Sequence, residues 1–327
     1  MPLPTLSICI ATRNDPRLAG TLQHLLFTLK GHDNVEVIVV DDASDQTVTH
    51  TLEGRARIRP FRFTERVGCG YGRNFAADHA IGEWLLLTDG HMSFPDDWLA
   101  TLWPHLENAP EKCLLCSTFV SLDEEHPDLL HPLAIIGGAD VFFFAPSRME
   151  HGNVEILDLC NRLPDETGAA EYEVPAVIGA AYFIRRHFFQ ELHGLIGLRH
   201  WGMDEFLLSL KVWLAGGWIG VLGDLPIGHW TSQDSPRRQA DKTMLLGNKL
   251  IAAWMLFGEE VPEHFLQTLP KGRALAGAEK LYRAAAEDFR GIRRSLAPRF
   301  IRSLDDFCSC WRVRHPLDYH PLNVESP

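Results

Sequence analysis

Residues 35–45 read VEVIVVDDASD. From Val37 to Val40 every position is β-branched and apolar, without the alternation of a strand that keeps one face in water. The segment therefore fits a strand buried on both faces, as in a parallel sheet. It stops at two carboxylates, Asp41 and Asp42, at the C-terminal end of that strand. Upstream, LSICIATRND (6–15) is a short apolar strand closing on polar residues, and LAGTLQHLLFTLKG (18–31) has a helical pattern that stops at Gly31. Downstream stand a strand candidate IRPFRF (58–63), a helix candidate GRNFAADHAIG (72–82) and a strand EWLLLTD (83–89) ending at Asp89. Strands alternating with helices predict an α/β fold on a doubly wound, Rossmann-like sheet. Ligands bind such sheets beyond the carboxyl ends of the strands, where Arg13, Asp41, Asp42, Asp89 and His91 all fall.

Farther along, DDWLATLWPHLENAP (96–110) predicts a helix and KCLLCSTFVSL (112–122) a strand, whereas 122–173 is loop-rich and has no clear pattern apart from the apolar VFFFA (141–145). PAVIGAAYFIRRHFFQELHG (175–194) suggests a strand, a small-residue turn and a helix. MDEFLLSLKVWLAGG (203–217) is an amphipathic helix with a glycine stop, and WIGVLG (218–223) a strand. The polar stretch TSQDSPRRQADK (231–242) marks the expected boundary between a catalytic domain, 1–235, and a mainly helical C-terminal extension, 236–327.

With 46% hydrophobic and 23% charged residues over 327 positions, the composition is that of a globular protein with a sizeable core. LSICIA is too short and lacks the basic flank of a secretion signal, and no run reaches the roughly 18 apolar residues of a membrane span. The expectation is a soluble cytoplasmic protein. Seven cysteines without regular spacing fit reduced thiols. CLLC (113–116) and CSC (308–310) invite a zinc site, but leucines fill the first pair and core packing is the better account. A net charge of −12 opposes general nucleic-acid binding. The charge is uneven: residues 231–327 carry fifteen Lys+Arg against twelve Asp+Glu, and Lys271–Arg302 nine against three. That basic stretch is either a solvated helix face or a surface for a polyanionic acceptor.

Asp89 and His91, two residues apart in a turn after a strand, can aim an oxygen and a nitrogen into one site. A hard to borderline divalent ion, Mn²⁺ above all, accepts that mixture. Alone, an Asp in a turn is more often a turn former or helix cap.

The surroundings add to it. VIVVDDASD, ERVGCGYGRNFAADHAIGEWLLLTDGH with Arg66, Gly68, Arg73 and Asn74, and the D-x-H of Asp89 and His91 resemble sugar-nucleotide transferases of the GT-A fold over about 220 residues. The resemblance is closest to the polypeptide N-acetylgalactosaminyltransferase branch. That branch follows D-x-H with a Trp such as Trp98 and runs W-G-x-E-N into W-x-x-G-G, as WGMDEFLLSLKVWLAGG does here from Trp201 to Gly217. It ends the site with G-H, here Gly228 and His229. The resemblance implies a divalent ion, Mn²⁺, held by Asp89, His91 and His229 on the diphosphate of a UDP-sugar donor. It further implies donor contacts from Thr12, Arg13, Asp41, Asp42, Arg66, Arg73 and Asp89, and catalytic roles for Trp201, Asp204 and Glu205.

The chain departs from that branch in three ways. Glu-Asn is replaced by Asp204–Glu205, and the second position is where inverting GT-A enzymes carry a carboxylate base, so Glu205 is a candidate to deprotonate the acceptor hydroxyl. A retaining route needs no such base, and the stereochemistry stays open. Ser232 stands where the branch has an Arg, leaving Arg237 and Arg238 for the diphosphate. Neither a lectin domain nor a membrane stem is seen, which counts against a mucin-type protein acceptor; glycan, peptide and modified nucleic acid remain as acceptor classes. Two other functions compete: an inactive nucleotide- or sugar-binding protein, and a nucleotidyltransferase, for which the Gly-rich basic loop after the first strand is missing.

Overall fold

The computed structural model describes residues 5–46, 57–145, 155–179, 181–231 and 241–318. The β-branched run is β2 (Val35–Asp41), second from one edge of the sheet: β1 (Leu6–Thr12) and β3 (Ile58–Arg62) flank it in parallel, and β4 (Trp84–Thr88) continues the parallel run beyond β1. Alternate residues of these strands serve opposite faces. Ile8, Ile10, Val37 and Val39 pack with Leu18, Leu22 and Leu25 of helix α1 (Leu18–Thr28). Cys9, Ile38 and Val40 pack with Ala76 and Ala77 of α2 (Cys69–His79) in the other cluster. A sheet with helices on both faces is the doubly wound arrangement the sequence predicts.

Beyond β4 the sheet turns mixed. β5 (Met92–Ser93) leads to α3 (Trp98–Asn108) and β6 (Cys113–Leu122). β7 (Ala134–Ile136) hangs on β6, β8 (Ala139–Ala145) pairs with β9 (Glu155–Asn161), and β10 (Glu171–Glu173), β11 (Ala181–Arg185) and β12 (Trp218–Trp230) follow. The strand order is β10-β12-β6-β11-β4-β1-β2-β3, with β11 antiparallel to both neighbours.

Three expectations change in the structure. The loop-rich segment 122–173 holds β7, β9 and β10 besides β8, which contains VFFFA. In β9 the alternation is broken at Leu157, which has a φ of 46° and is skipped by the β8 ladder, so no period-two signal survives there. Between Pro175 and Gly194, Tyr182 to Ile184 form a fully buried strand between β4 and β6, and the helix, α4 (Arg186–Glu191), starts only after it. Third, α5 (Asp204–Leu214) is buried on nearly every side instead of being amphipathic. Even Lys211 is 0% exposed, its Nζ donating to the Gly194 carbonyl at 2.7 Å, and burial pulls its pKa down to about 7.

The cover over α5 is the C-terminal part: α6 (Lys242–Phe257), α7 (Glu260–Thr268), α8 (Arg273–Asp288), α9 (Arg290–Leu296) and α10 (Leu304–Trp311). The expected boundary at residue 235 lies outside the described residues. On either side of it the apolar core is continuous, since Leu250, Ile251, Trp254, Phe265 and Phe307 share one cluster with Phe206 and Trp213 of α5. Cys113 and Cys116 are buried in β6, all seven cysteines are free thiols, and no cysteine joins a metal-binding group among the described residues.

Phe307 is the anchor of α10, fully buried and edge-on to both Trp213 and Phe143. Truncation to alanine removes those contacts and leaves a cavity. Phe307→Ala is expected to cost about 3–5 kcal/mol in urea unfolding. A loss below about 1 kcal/mol would show that α10 is not part of the core.

Candidate metal and donor site

The site forms where the parallel strands end. Asp89 follows β4, and His91 lies one residue before β5, which pairs with the end of β12 so that His229 stands opposite Met92. The Trp230 N–H donates to the His91 carbonyl at 3.0 Å, closing the junction. Gly228 is needed there, because a Cβ would lie 2.6 Å from Leu122 Cδ1 and 3.0 Å from Ser93 Cβ.

Together Asp89, His91 and His229 offer one ligand atom each, all within 4.8 Å of one another. The two imidazole Nε2 atoms face each other at 3.0 Å, and Asp89 Oδ2 lies 3.5 Å from His229 Nε2 and 3.8 Å from His91 Nε2. Two imidazole nitrogens bound cis on one ion at about 2.1 Å would stand about 3 Å apart, so the side chains already have the spacing a shared ion requires. Burial alone would raise the Asp89 pKa. The hydrogen bond to His229 and the charges on Arg73 and His91 outweigh it and hold Asp89 well below the ordinary carboxylate value, in the ionised form a metal needs.

Asp15, which the sequence did not single out, fixes His91. Its Oδ2 lies 2.6 Å from His91 Nδ1, while Oδ1 accepts the Arg17 N–H at 2.9 Å. Burial opposes a charge on His91, but the Asp15 hydrogen bond and the Asp89 charge dominate and raise its pKa. With Nδ1–H committed to Asp15, the Nε2 lone pair is turned toward Asp89 and His229. The glycine between Asp89 and His91 follows from the same packing: a Cβ on Gly90 would lie 2.8 Å from Asp15 Oδ2.

Arg73 does not face open solvent. It is 4% exposed and donates to Asp89 Oδ1 at 2.7 Å, to Asp204 Oδ2 at 3.0 Å and to the Tyr182 hydroxyl at 2.6 Å. It thus ties the metal-facing turn to the start of α5. Glu205, next to Asp204, is half-buried; burial and then the Asp204 charge push its pKa up to about 7. Trp201, also half-buried, precedes α5 in a turn where His200, Gly202 and Met203 all have positive φ, at 54°, 97° and 76°. The carbonyl of His200 accepts the Cys69 N–H at 2.8 Å, and a Cβ on Gly68 would strike the His200 backbone.

The remaining predicted donor contacts form a rim on one side. Asp42 accepts the N–H groups of Val67 (2.7 Å) and Gly68 (3.0 Å), while Arg13 Nη1 donates to the carbonyls of Asp42 (2.9 Å) and Ala43 (2.6 Å). Thr12, at the end of β1, is buried with its hydroxyl unpartnered, and Arg66 is exposed beside His200. Asp41 lies deeper: it is 0% exposed, ion-paired to Arg62 and bonded by the Ser44 N–H at 2.9 Å. Ser232, Arg237 and Arg238 lie outside the described residues.

Residues 7–164 match the family described as Glycosyl transferase family 2. Among named proteins the chain is similar to the inactive polypeptide N-acetylgalactosaminyltransferase-like protein 5 of Macaca fascicularis, at 24% identity over 82% of this chain and 60% of that protein. It is also similar to polypeptide N-acetylgalactosaminyltransferase 8 of Drosophila melanogaster, at 25% identity over 97% of this chain and 54% of that one. The chain thus spans between about half and three-fifths of these relatives. Among solved structures, GalNAc-T7 with UDP, GalNAc and Mn²⁺ superposes over 94% of this chain and 56% of its own, with a TM-score of 0.65 at 18% identity. That likeness establishes the GT-A fold.

Two outcomes follow from the geometry. Asp15→Asn keeps the shape but loses the carboxylate that orients His91, so Mn²⁺ affinity, read by paramagnetic water relaxation, is expected to fall about 10–100-fold; unchanged affinity would remove Asp15 from the site. Glu205 takes up its proton more readily folded than unfolded, so it adds nothing to pH dependence well below pH 4.5 and destabilises the fold progressively as pH rises from there to about 7. In urea titrations at several pH values Glu205→Gln is expected to remove that slope, and a parallel profile in the mutant would contradict the raised pKa.

Proposed function

We propose, on the premise of the family-2 glycosyl transferase match over residues 7–164 and of a GT-A fold like that of GalNAc-T7, that the chain moves a hexose or N-acetylhexosamine from a UDP-sugar to an acceptor hydroxyl. The observation that carries the reading is the convergence of Asp89, His91 and His229 on one point at the end of β4. The complex of GalNAc-T7 with UDP, GalNAc and Mn²⁺ supports the choice of donor and ion.

Asp89, His91 and His229 would hold a divalent ion, which when bound would supply Lewis-acid neutralisation of the negative charge on the donor diphosphate. Asp15 sets the tautomer of His91, and Arg73 fixes the Asp89 carboxylate so that its other oxygen faces the histidines. Thr12, Arg13, Asp42 and Arg66 line the side on which the uridine and ribose bind, Arg66 offering an exposed forked cation to the donor. Asp41 supports that rim from beneath through Arg62. Trp201 borders the sugar, and Asp204 is held by Arg73. Glu205 takes the acceptor proton: a carboxylate whose pKa is raised toward neutrality is a better base near pH 7 than one in water. Such a base favours direct displacement with inversion. Seven free thiols support action in the reducing cytoplasm, and no described helix is long and apolar enough to cross a membrane.

A second reading has a specific source: the Macaca relative is named as inactive. An inactive binder would hold UDP-sugar and Mn²⁺ without releasing UDP. The separating experiment is a panel of UDP-sugars with Mn²⁺, monitored for UDP release. Transferase chemistry predicts slow release, its abolition by Asp89→Ala and by His229→Ala, and a fall of about 10²–10⁴-fold in Glu205→Gln. Tight donor binding without any release would establish the binder, and release that persists in EDTA would overturn the metal assignment.

A further inference from the structure

Asn248 sits in α6 beside Lys249, which pairs with Asp158 at 3.1 Å, and just before Leu250, Ile251, Ala252 and Ala253, which are apolar and fully buried. It too is 0% exposed. A primary amide in such a place is costly unless each of its polar atoms is matched. All of its recorded partners are backbone groups of one short segment, 199–202. Its Oδ1 accepts the Arg199 N–H at 2.9 Å, and its Nδ2 donates to the carbonyls of Arg199 at 2.7 Å, Trp201 at 3.1 Å and Gly202 at 3.3 Å.

The gripped segment is the turn that feeds α5. His200 and Met203 hold a left-handed backbone that side-chain-bearing residues rarely adopt, with Gly202 between them in the same region. Met203 caps α5, whose first two residues are Asp204 and Glu205. On its other side the turn is tied to α2 through the Cys69 N–H and the close approach at Gly68. Release of Asn248 would leave the carbonyls of Arg199, Trp201 and Gly202 without this donor, and the left-handed residues free to relax.

We propose that Asn248 is the positioning residue of the catalytic turn: from the C-terminal helices it holds 199–203 in the conformation that sets Trp201 and Glu205 at the donor site. The proposal rests on the transferase reading above for the roles of Trp201 and Glu205. It makes the C-terminal part a component of the catalytic apparatus, whatever acceptor that part also meets. The recorded hydrogen bonds of Asn248 reach none of Asp89, His91 and His229, so its effect passes through the turn to Trp201 and Glu205 and leaves the three metal-facing side chains in place.

The test uses the full chain with Mn²⁺ and the UDP-sugar that supports turnover, comparing Asn248→Ala, Asn248→Asp and Asn248→Leu. Aspartate keeps the shape and the acceptor but has no N–H to give, while leucine fills the volume without polar atoms. All three are expected to lower kcat about 100-fold, with the Mn²⁺ affinity within about 3-fold of the parent. Amide hydrogen exchange within 199–203 is expected to accelerate about 10-fold or more while the middle of α6 keeps its protection. A space-filling role predicts that leucine or aspartate restores kcat, and that result, or unchanged exchange in 199–203, overturns the proposal. Should the alanine variant fail to fold, the near-isosteric aspartate variant decides. Should the parent show no turnover, the transferase reading fails, and the exchange measurement still decides the clamp.

Discussion

A guanidinium buried between two carboxylates fixes the geometry of everything around it. Arg73 comes from α2 and meets Asp89 from the end of β4 and Asp204 from the start of α5, with the Tyr182 hydroxyl from β11 as a further partner. A buried cation is tolerated only when its neighbours compensate it, and removal of one partner of such a pair typically costs about 3–5 kcal/mol. The arrangement stabilises less than it specifies. It admits one relative placement of strand end, helix start and α2, and that placement leaves one Asp89 oxygen for the histidines. The short approach of His91 to His229, at 3.0 Å, is a consequence of it and of the β5–β12 pairing.

The sheet supplies the rest by topology. Parallel strands joined by helices on alternating faces bring their carboxyl ends to one edge, so Thr12, Asp41 and Asp89 emerge side by side although they are far apart in sequence. The register Thr12↔Asp41↔Arg62 puts the carboxylate and its counter-ion at one level. Beyond β4 the direction changes at β11, and the return of β12 parallel to β6 delivers His229 from the opposite side. The C-terminal helices then seal α5. A helix whose solvent face is removed in this way can carry Lys211 inside and begin on a buried Asp204 and a half-buried Glu205.

How much of this was legible in the sequence depends on whether a signal is local. The β-branched run at 37–40, the glycine stops and the Asp89, His91 and His229 pattern are local or follow known spacing, and the sheet and the triad stood where those features pointed. Asp15 carries no local mark, since an Asp before a Pro reads as a turn former, and its bond to His91 spans 76 positions. Tyr182 and Asn248 are hidden for the same reason: an aromatic in a strand and an amide in an apolar helix announce nothing until long-range contacts form. Arg73 was expected to face the donor, but no sequence rule distinguishes a guanidinium that meets a diphosphate from one that meets two carboxylates. Burial settles it. The helix α5 misled because its Lys211 implies a wet face, and only tertiary cover removes that face.

The central claim is that Asp89, His91 and His229 are three ligands of one divalent ion that organises the donor. Crystals of the protein grown with Mn²⁺ and UDP, recorded at a wavelength where manganese scatters anomalously, address it most directly. The account predicts one strong anomalous peak about 2.0–2.3 Å from Asp89 Oδ2 and from the Nε2 atoms of His91 and His229, with the diphosphate on its open side. A peak elsewhere on the chain, or well-ordered UDP bound with no peak among these three side chains, would contradict it.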